Sequence, residues 1–251
     1  MRKKISFLIF RIIKSIVKAV YPKITVEGIE NLPDEEAIYV GNHSQMHGPI
    51  CCELYFPCKR VTWCVGQMME LKEVPAYAYK DFWSEKPKII RPFYKLLSYI
   101  IAPLSVIVFN NAETIGVYQD RRMVSTFRKT VEKLAGGESV VIFPECKKGY
   151  NNIVNSFQDK YINIAKLYYK KTGKELKFVP FYIAPNLKKM YIGTPTAFSP
   201  EEPIDSERDR ITEYLMKEIT DIATGLPEHT VIPYKNIPKK EYKTNYEKTG
   251  C

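Results

Sequence analysis

Two short blocks place ionisable side chains directly after apolar runs. Asn42-His43-Ser44-Gln45-Met46-His47-Gly48-Pro49 follows Ala37-Ile38-Tyr39-Val40, and Phe143-Pro144-Glu145-Cys146-Lys147-Lys148 follows Ser139-Val140-Val141-Ile142. Such runs read as buried strands, and open α/β sheets bind their ligands beyond the strands' carboxyl ends. A histidine presented there acts as a base near neutral pH. A glutamate followed by lysines orients or neutralises a polar, anionic group. His43 and His47 share the spacing of some zinc helices, with Cys51, Cys52, Cys58 and Cys64 downstream. The block lacks the glutamate of H-E-x-x-H, and the cysteine spacing fits no familiar zinc pattern, so no metal is expected.

The flanking sequence must hold these blocks in a sheet. Ile24-Thr25-Val26 and Arg60 to Val65 read as strands, and Pro49 suits the first turn of a helix over Ile50 to Leu54. Met68 to Lys80 reads as a helix bent at Pro75. The apolar stretch Ile89 to Phe109 parses as a helix from Pro92 to Ile101 followed by a strand from Leu104 to Phe109, with re-entry into a bilayer as the sharper alternative. Asp120 caps the next helix, whose apolar face is Met123, Val124, Phe127, Val131 and Leu134 and whose stop is Gly136-Gly137. Further on come a helix from Asp159 to Lys171 stopped by Gly173, a strand from Leu176 to Ile183, and a helix from Glu207 to Ala223. This alternation implies an α/β fold, a layered mixed sheet flanked by helices. Residues 226–251, rich in lysine and proline, read as a loose tail.

The chain of 251 residues carries a formal charge of +10, which favours an anionic partner. Six cysteines at irregular positions, with no cleavable leader, read as reduced thiols of a cytosolic protein. Thr249-Gly250-Cys251 makes no prenylation box. Residues 1–22 form a basic amphipathic segment: Lys4, Arg11 and Lys18 recur every seven residues, and Ile5, Leu8, Ile9, Ile12, Ile13, Ile16 and Val20 fill most of the remaining arc. It is too interrupted by charge to span a bilayer, so the expectation is a helix lying in an anionic membrane interface, or packed on the protein's own core. Nucleic acid is not expected, because the cations interleave with isoleucines on one helix instead of with aromatics on a sheet.

Asn42-His43, Phe143-Pro144-Glu145, Val179-Pro180-Phe181 and Gly193-Thr194-Pro195 occur in an order and spacing that resemble the lysophospholipid acyltransferase family, which includes 1-acylglycerol-3-phosphate acyltransferases. The resemblance covers roughly residues 25–220. It implies an acyltransferase domain over 23–225 at the cytoplasmic face of a membrane, with no bound cofactor. Acyl-CoA or acyl-carrier protein would be the co-substrate and a lysophospholipid hydroxyl the acceptor. It also implies that His43 is the catalytic base and that Glu145, Lys147 and Lys148 meet the acceptor's head group. The chain departs from the family pattern at three places. The family's aspartate position is Gly48, leaving His47, Glu53 or Glu145 to orient the histidine. The Gly-Thr-Arg after the glutamate is Cys146-Lys147-Lys148. The second-block arginine falls at Val108-Phe109-Asn110-Asn111, where Asn111, or Arg121 and Arg122 further on, would take its role. These departures leave two alternatives: a non-catalytic lipid-binding member of the same fold, and a metal-dependent hydrolase using His43 and His47.

Overall fold

A computed structural model describes residues 2–84 and 86–246. Lys248 and the carboxyl-terminal Thr249-Gly250-Cys251 lie outside the described residues. The chain divides into two compact units, Met1–Tyr21 with Thr62–Thr126, and Pro22–Val61 with Phe127–Cys251.

The second unit holds a mixed sheet. Its strands are β1 (Thr25–Glu27), β2 (Ala37–Gly41), β5 (Ser139–Ile142), β8 (Lys177–Ala184), β9 (Lys189–Ile192) and β10 (Thr196–Ala197). Their order is β1-β9-β8-β2-β5, with β10 on β8. The central strand β2 runs parallel to both neighbours, with Ile38 opposite Val140 on one side and Phe178 on the other. β9 returns antiparallel to β8, and β1 pairs in parallel with β9. Every residue of β2 and β5 is buried, as expected of strands covered on both faces. Helix α7 (Ile204–Thr224) packs on β8 through Ile211, Leu215, Ile219 and Ala223, one apolar stripe at fourfold spacing. Helix α6 (Asn163–Thr172) stops at Gly173, whose φ of 73° supplies the left-handed cap. A hairpin, β6 (Glu145–Tyr150) and β7 (Asn155–Phe157), follows β5 and was not visible as an alternating pattern.

Residues 226–246 are not loose. Thr230 bridges Thr244, and His229, Val231 and Asn245 are buried. The Asn245 side chain accepts the His229 N–H and donates to the Ala223 carbonyl. The His229 ring lies between the Pro227 carbonyl and the Tyr182 hydroxyl, each 2.8 Å away. A carbonyl only accepts, so Nδ1 carries the proton and Nε2 receives the Tyr182 O–H. Proline and lysine content misled because a few buried polar side chains, rather than a periodic apolar face, tie this segment down.

The first unit contains α1 (Arg2–Val20), the last four residues of β3 (Arg60–Val65), α3 (Val74–Ala78), α4 (Arg91–Asn111) and β4 (Thr114–Val117). β3 and β4 pair in parallel. α4 corrects the parse of this region: the expected strand from Leu104 to Phe109 is the second half of one helix with Pro103 inside it. Proline there forfeits one hydrogen bond to the preceding turn, but Ser98, Ala102 and Ser105 form a buried stripe of small residues that brings α4 close to α3. Ser105 Oγ donates to the Met68 carbonyl at 2.9 Å. Met68, Val74, Ala78 and Ala102 make the local core, with Val65, Tyr77, Trp83 and Phe109 against it.

Tyr182→Phe leaves His229 Nε2 buried without its donor, a loss of about 1–3 kcal/mol. Urea unfolding is expected to show that decrease, and limited trypsin digestion is expected to open the variant at Lys235, Lys239 and Lys240 before the wild type.

Candidate active site

The site is built at the carboxyl end of β2. Asn42 continues the strand with its side chain: Oδ1 accepts the Ile183 N–H at 2.7 Å, and Nδ2 donates to the Ile183 carbonyl at 3.0 Å and to Ser44 Oγ at 2.7 Å. The amide thus replaces a main-chain pairing partner for β8, and the next residue, His43, leaves the sheet at a fixed point. Its backbone N–H donates to Glu145 Oε1 at 2.7 Å, and Glu145 Oε2 accepts the Asn155 N–H at 2.8 Å. One carboxylate therefore ties the end of β2 to both strands of the β6–β7 hairpin.

Glu145 is 4% exposed. Burial pushes its carboxyl up to about 7, against the two N–H donors, which pull it down. The half-buried His43 ring is held edge-on by Phe143 and Tyr234, with centroids 5.1 Å and 5.5 Å away. Tyr234 comes from the segment read as a loose tail, so no sequence pattern connected it to the histidine.

The turn after His43 is strained. Ser44 and Gln45 have φ of 44° and 54°, a left-handed conformation that costs a non-glycine residue about 1–2 kcal/mol. Besides the Asn42–Ser44 bond, Gln45 Nε2 donates to the Tyr242 hydroxyl at 2.8 Å and to the Lys235 carbonyl at 3.2 Å. The turn closes with the Gly48 N–H on the His43 carbonyl at 3.0 Å. A Cβ at position 48 would sit 2.5 Å from that carbonyl oxygen and 2.9 Å from the Phe143 ring. The residue standing at the family's aspartate position is thus a glycine because the turn has closed over that space.

The other expected site residues divide between the units. His47 opens α2 (His47–Tyr55), where burial and then the Lys239 charge hold its imidazole below the usual value. Glu53, on the same helix, pairs with the buried Arg60 at 2.8 Å, and Arg60 also donates to the Cys52 carbonyl. These bonds tie the end of α2 to the start of β3. Lys147 and Lys148 are exposed on β6, on the hairpin that Glu145 begins. In the first unit, Asn111 Nδ2 donates to Ser6 Oγ and to the Ile107 carbonyl, joining α4 to α1. Arg122 lies over the Tyr118 ring and pairs with Glu73 and Asp120, and Arg121 is exposed beside it. Among the described residues, no group of three or more His, Cys, Asp or Glu is placed to hold a metal ion.

A half-buried imidazole at a strand end, with its main chain fixed by a buried acid, defines a scaffold for proton transfer. The family model described as Acyltransferase matches residues 23–184, which include both blocks, and the chain belongs to that acyltransferase family. No curated protein matches the chain. Among solved structures it is similar to the 1-acyl-sn-glycerophosphate (LPA) acyltransferase PlsC from Thermotoga maritima, at 19% identity over 88% of this chain and 83% of that one, with a TM-score of 0.46.

Two outcomes are expected from this geometry. Gly48→Ala forces the turn apart and lowers stability by about 1–3 kcal/mol, measured by urea unfolding. For Glu145, the folded carboxyl keeps its proton up to about 7 while the unfolded one loses it near 4.5. The folded state therefore binds the extra proton between those values, and stability falls as pH rises through that window. The gap in unfolding free energy between wild type and Glu145→Gln is expected to shift against the wild type by roughly 3 kcal/mol from the acid to the neutral end, then level off.

Proposed function

We propose that this acyltransferase moves a fatty acyl group from acyl-CoA or acyl-carrier protein to the hydroxyl of a lysoglycerophospholipid, working at the cytoplasmic face of a membrane. His43 is the general base. Its imidazole takes the proton of the acceptor hydroxyl as that oxygen attacks the thioester carbonyl carbon. The carbon–sulfur bond then breaks, and the imidazolium returns the proton to the departing thiolate. A positioned base of this kind contributes about a hundred- to ten-thousand-fold in rate.

The observation that carries the reading is the bond from the His43 N–H to the buried Glu145 carboxylate, which couples the two sequence blocks of the family-matched segment. Glu145 then acts on the imidazole through the main chain as a positioning group, and Phe143 and Tyr234 hold the ring in place of the missing aspartate. Lys147 and Lys148 supply positive charge to the acceptor's phosphate as point charges, without the bidentate fork of an arginine. Gly48 favours a second reading, a lipid-binding member that keeps the fold and has lost the reaction.

Transfer of a labelled acyl group from an acyl thioester to lysophospholipid separates the two. The wild type is expected to turn over and His43→Ala to fall by at least about a hundredfold while remaining folded. Wild-type protein without activity on any lysophospholipid selects the second reading, and full activity in His43→Ala overturns the base assignment. Lys148→Gln is expected to raise KM for lysophosphatidate more than for a zwitterionic acceptor.

A further inference from the structure

The charge of this chain is not spread over its surface. Residues 1–21 and 86–112 hold ten Lys and Arg and no Asp or Glu; the remaining 28 Lys and Arg are matched by the 28 Asp and Glu, so these two segments carry the whole net charge of +10. Both segments belong to the first unit, and they form α1 and α4 with its leading turn.

α4 has two unlike faces. One is the stripe Ser98, Ala102 and Ser105, buried against its own unit and fastened by the Ser105 bond to Met68 and the Asn110 bond to the Met69 carbonyl. The opposite face is apolar and bare: Ile89 is 93% exposed, Phe93 63%, Leu96 62% and Ile100 65%, and Leu104 continues the line. Their spacing of three and four residues puts them on one edge of the helix. Lys86, Lys88 and Lys95 are exposed at its amino-terminal half. α1 repeats the pattern. Phe10 is buried, Ile5, Leu8, Ile12 and Ile16 are exposed on one edge, and Lys4, Arg11 and Lys18 flank that edge. The Asn111–Ser6 bond holds the two helices together. Soluble monomers rarely expose apolar stripes of this extent. A second copy would bring the same positive charge against itself.

We propose that α4 is the principal membrane-inserting element of this chain. It lies in the plane of one anionic leaflet with Ile89, Phe93, Leu96, Ile100 and Leu104 among the acyl chains, and α1 lies beside it as a cationic flank. The segment 88–111 is long and apolar enough to cross a bilayer by length and composition. Its buried stripe and its bonds to Met68 and Met69 keep it against its own unit, so it enters from one side. The inference deepens the reading of a membrane-surface enzyme but is tested by binding alone, so an inactive protein leaves it standing.

The test is cosedimentation of the full chain with vesicles of phosphatidylcholine alone or with about a quarter phosphatidylglycerol. Wild type is expected to bind the anionic vesicles and to lose binding in high salt. The variant Ile89→Ser/Phe93→Ser/Leu96→Ser/Ile100→Ser is expected to weaken binding by about tenfold or more, with its cooperative melting transition retained because these side chains are mostly exposed and lie outside the buried core of the unit. In Phe93→Trp, lipids brominated near the head-group end of the chain are expected to quench the new fluorescence more than lipids brominated at the chain terminus. Equal binding by wild type and the serine variant overturns the proposal. So does a lipid-independent dimer of the wild type that the serine variant dissolves, or quenching centred on the bilayer midplane, which marks a spanning helix.

Discussion

A single buried carboxylate organises the site. Glu145 accepts one main-chain N–H from the end of β2 and another from the start of β7. Neither donor carries a full positive charge, and burial is the larger effect, so the acid retains its proton to about 7. Charge-assisted hydrogen bonds contribute about 1.5–3 kcal/mol each, which offsets part of the cost of keeping a carboxylate out of water. The result is a joint whose strength depends on ionisation near neutral pH.

Around that joint, polar side chains take over where the sheet runs out. Asn42 stands in for a strand residue beside β8, and the Ser44–Gln45 turn is held in a left-handed conformation by Asn42 on one side and Tyr242 on the other. The same turn closes over Gly48, so the residue that the family uses to orient its histidine has no room here. The Phe143 and Tyr234 rings pack edge-on against the His43 ring beside that closed turn. The segment supplying Tyr234 and Tyr242 is anchored in turn by the Tyr182–His229 pair.

Much of this was legible in order of pattern strength. The strands before His43 and Glu145 and the helix stopped by Gly173 followed from apolar runs and turn residues, and they appear where those signals fall. The second half of α4 did not, because an apolar run with β-branched residues after a proline has no period that separates strand from helix; the small stripe Ser98, Ala102, Ser105 was the signal that decides it. The hairpin β6–β7 was hidden because Lys147-Lys148-Gly149 is exposed and alternates nothing. At the site, the sequence named His43 and Glu145 separately. Their link runs through a backbone N–H, which no residue type announces, and Tyr234 reaches the histidine only through tertiary structure. Glu53, which its nearness in sequence offered to the histidine, pairs with Arg60, a partner that the sequence did not announce.

The two units divide the physical tasks within one chain. The second unit, apart from its lysines on β6, is a conventional buried sheet whose precision lies at one strand end, whereas the first carries most of the net charge and the exposed apolar helix edge. The claim on which the site rests is that Glu145 fixes the histidine through its main chain, and amide NMR of ¹⁵N-labelled protein reads that bond directly. The account predicts that the His43 and Asn155 amide protons resonate downfield and titrate with an apparent pKa near 7, and that Glu145→Gln abolishes the titration of the Asn155 amide, which has no ionisable side chain of its own. His43 and Asn155 amide shifts that stay constant from about pH 5 to about pH 9 in the wild type would contradict it.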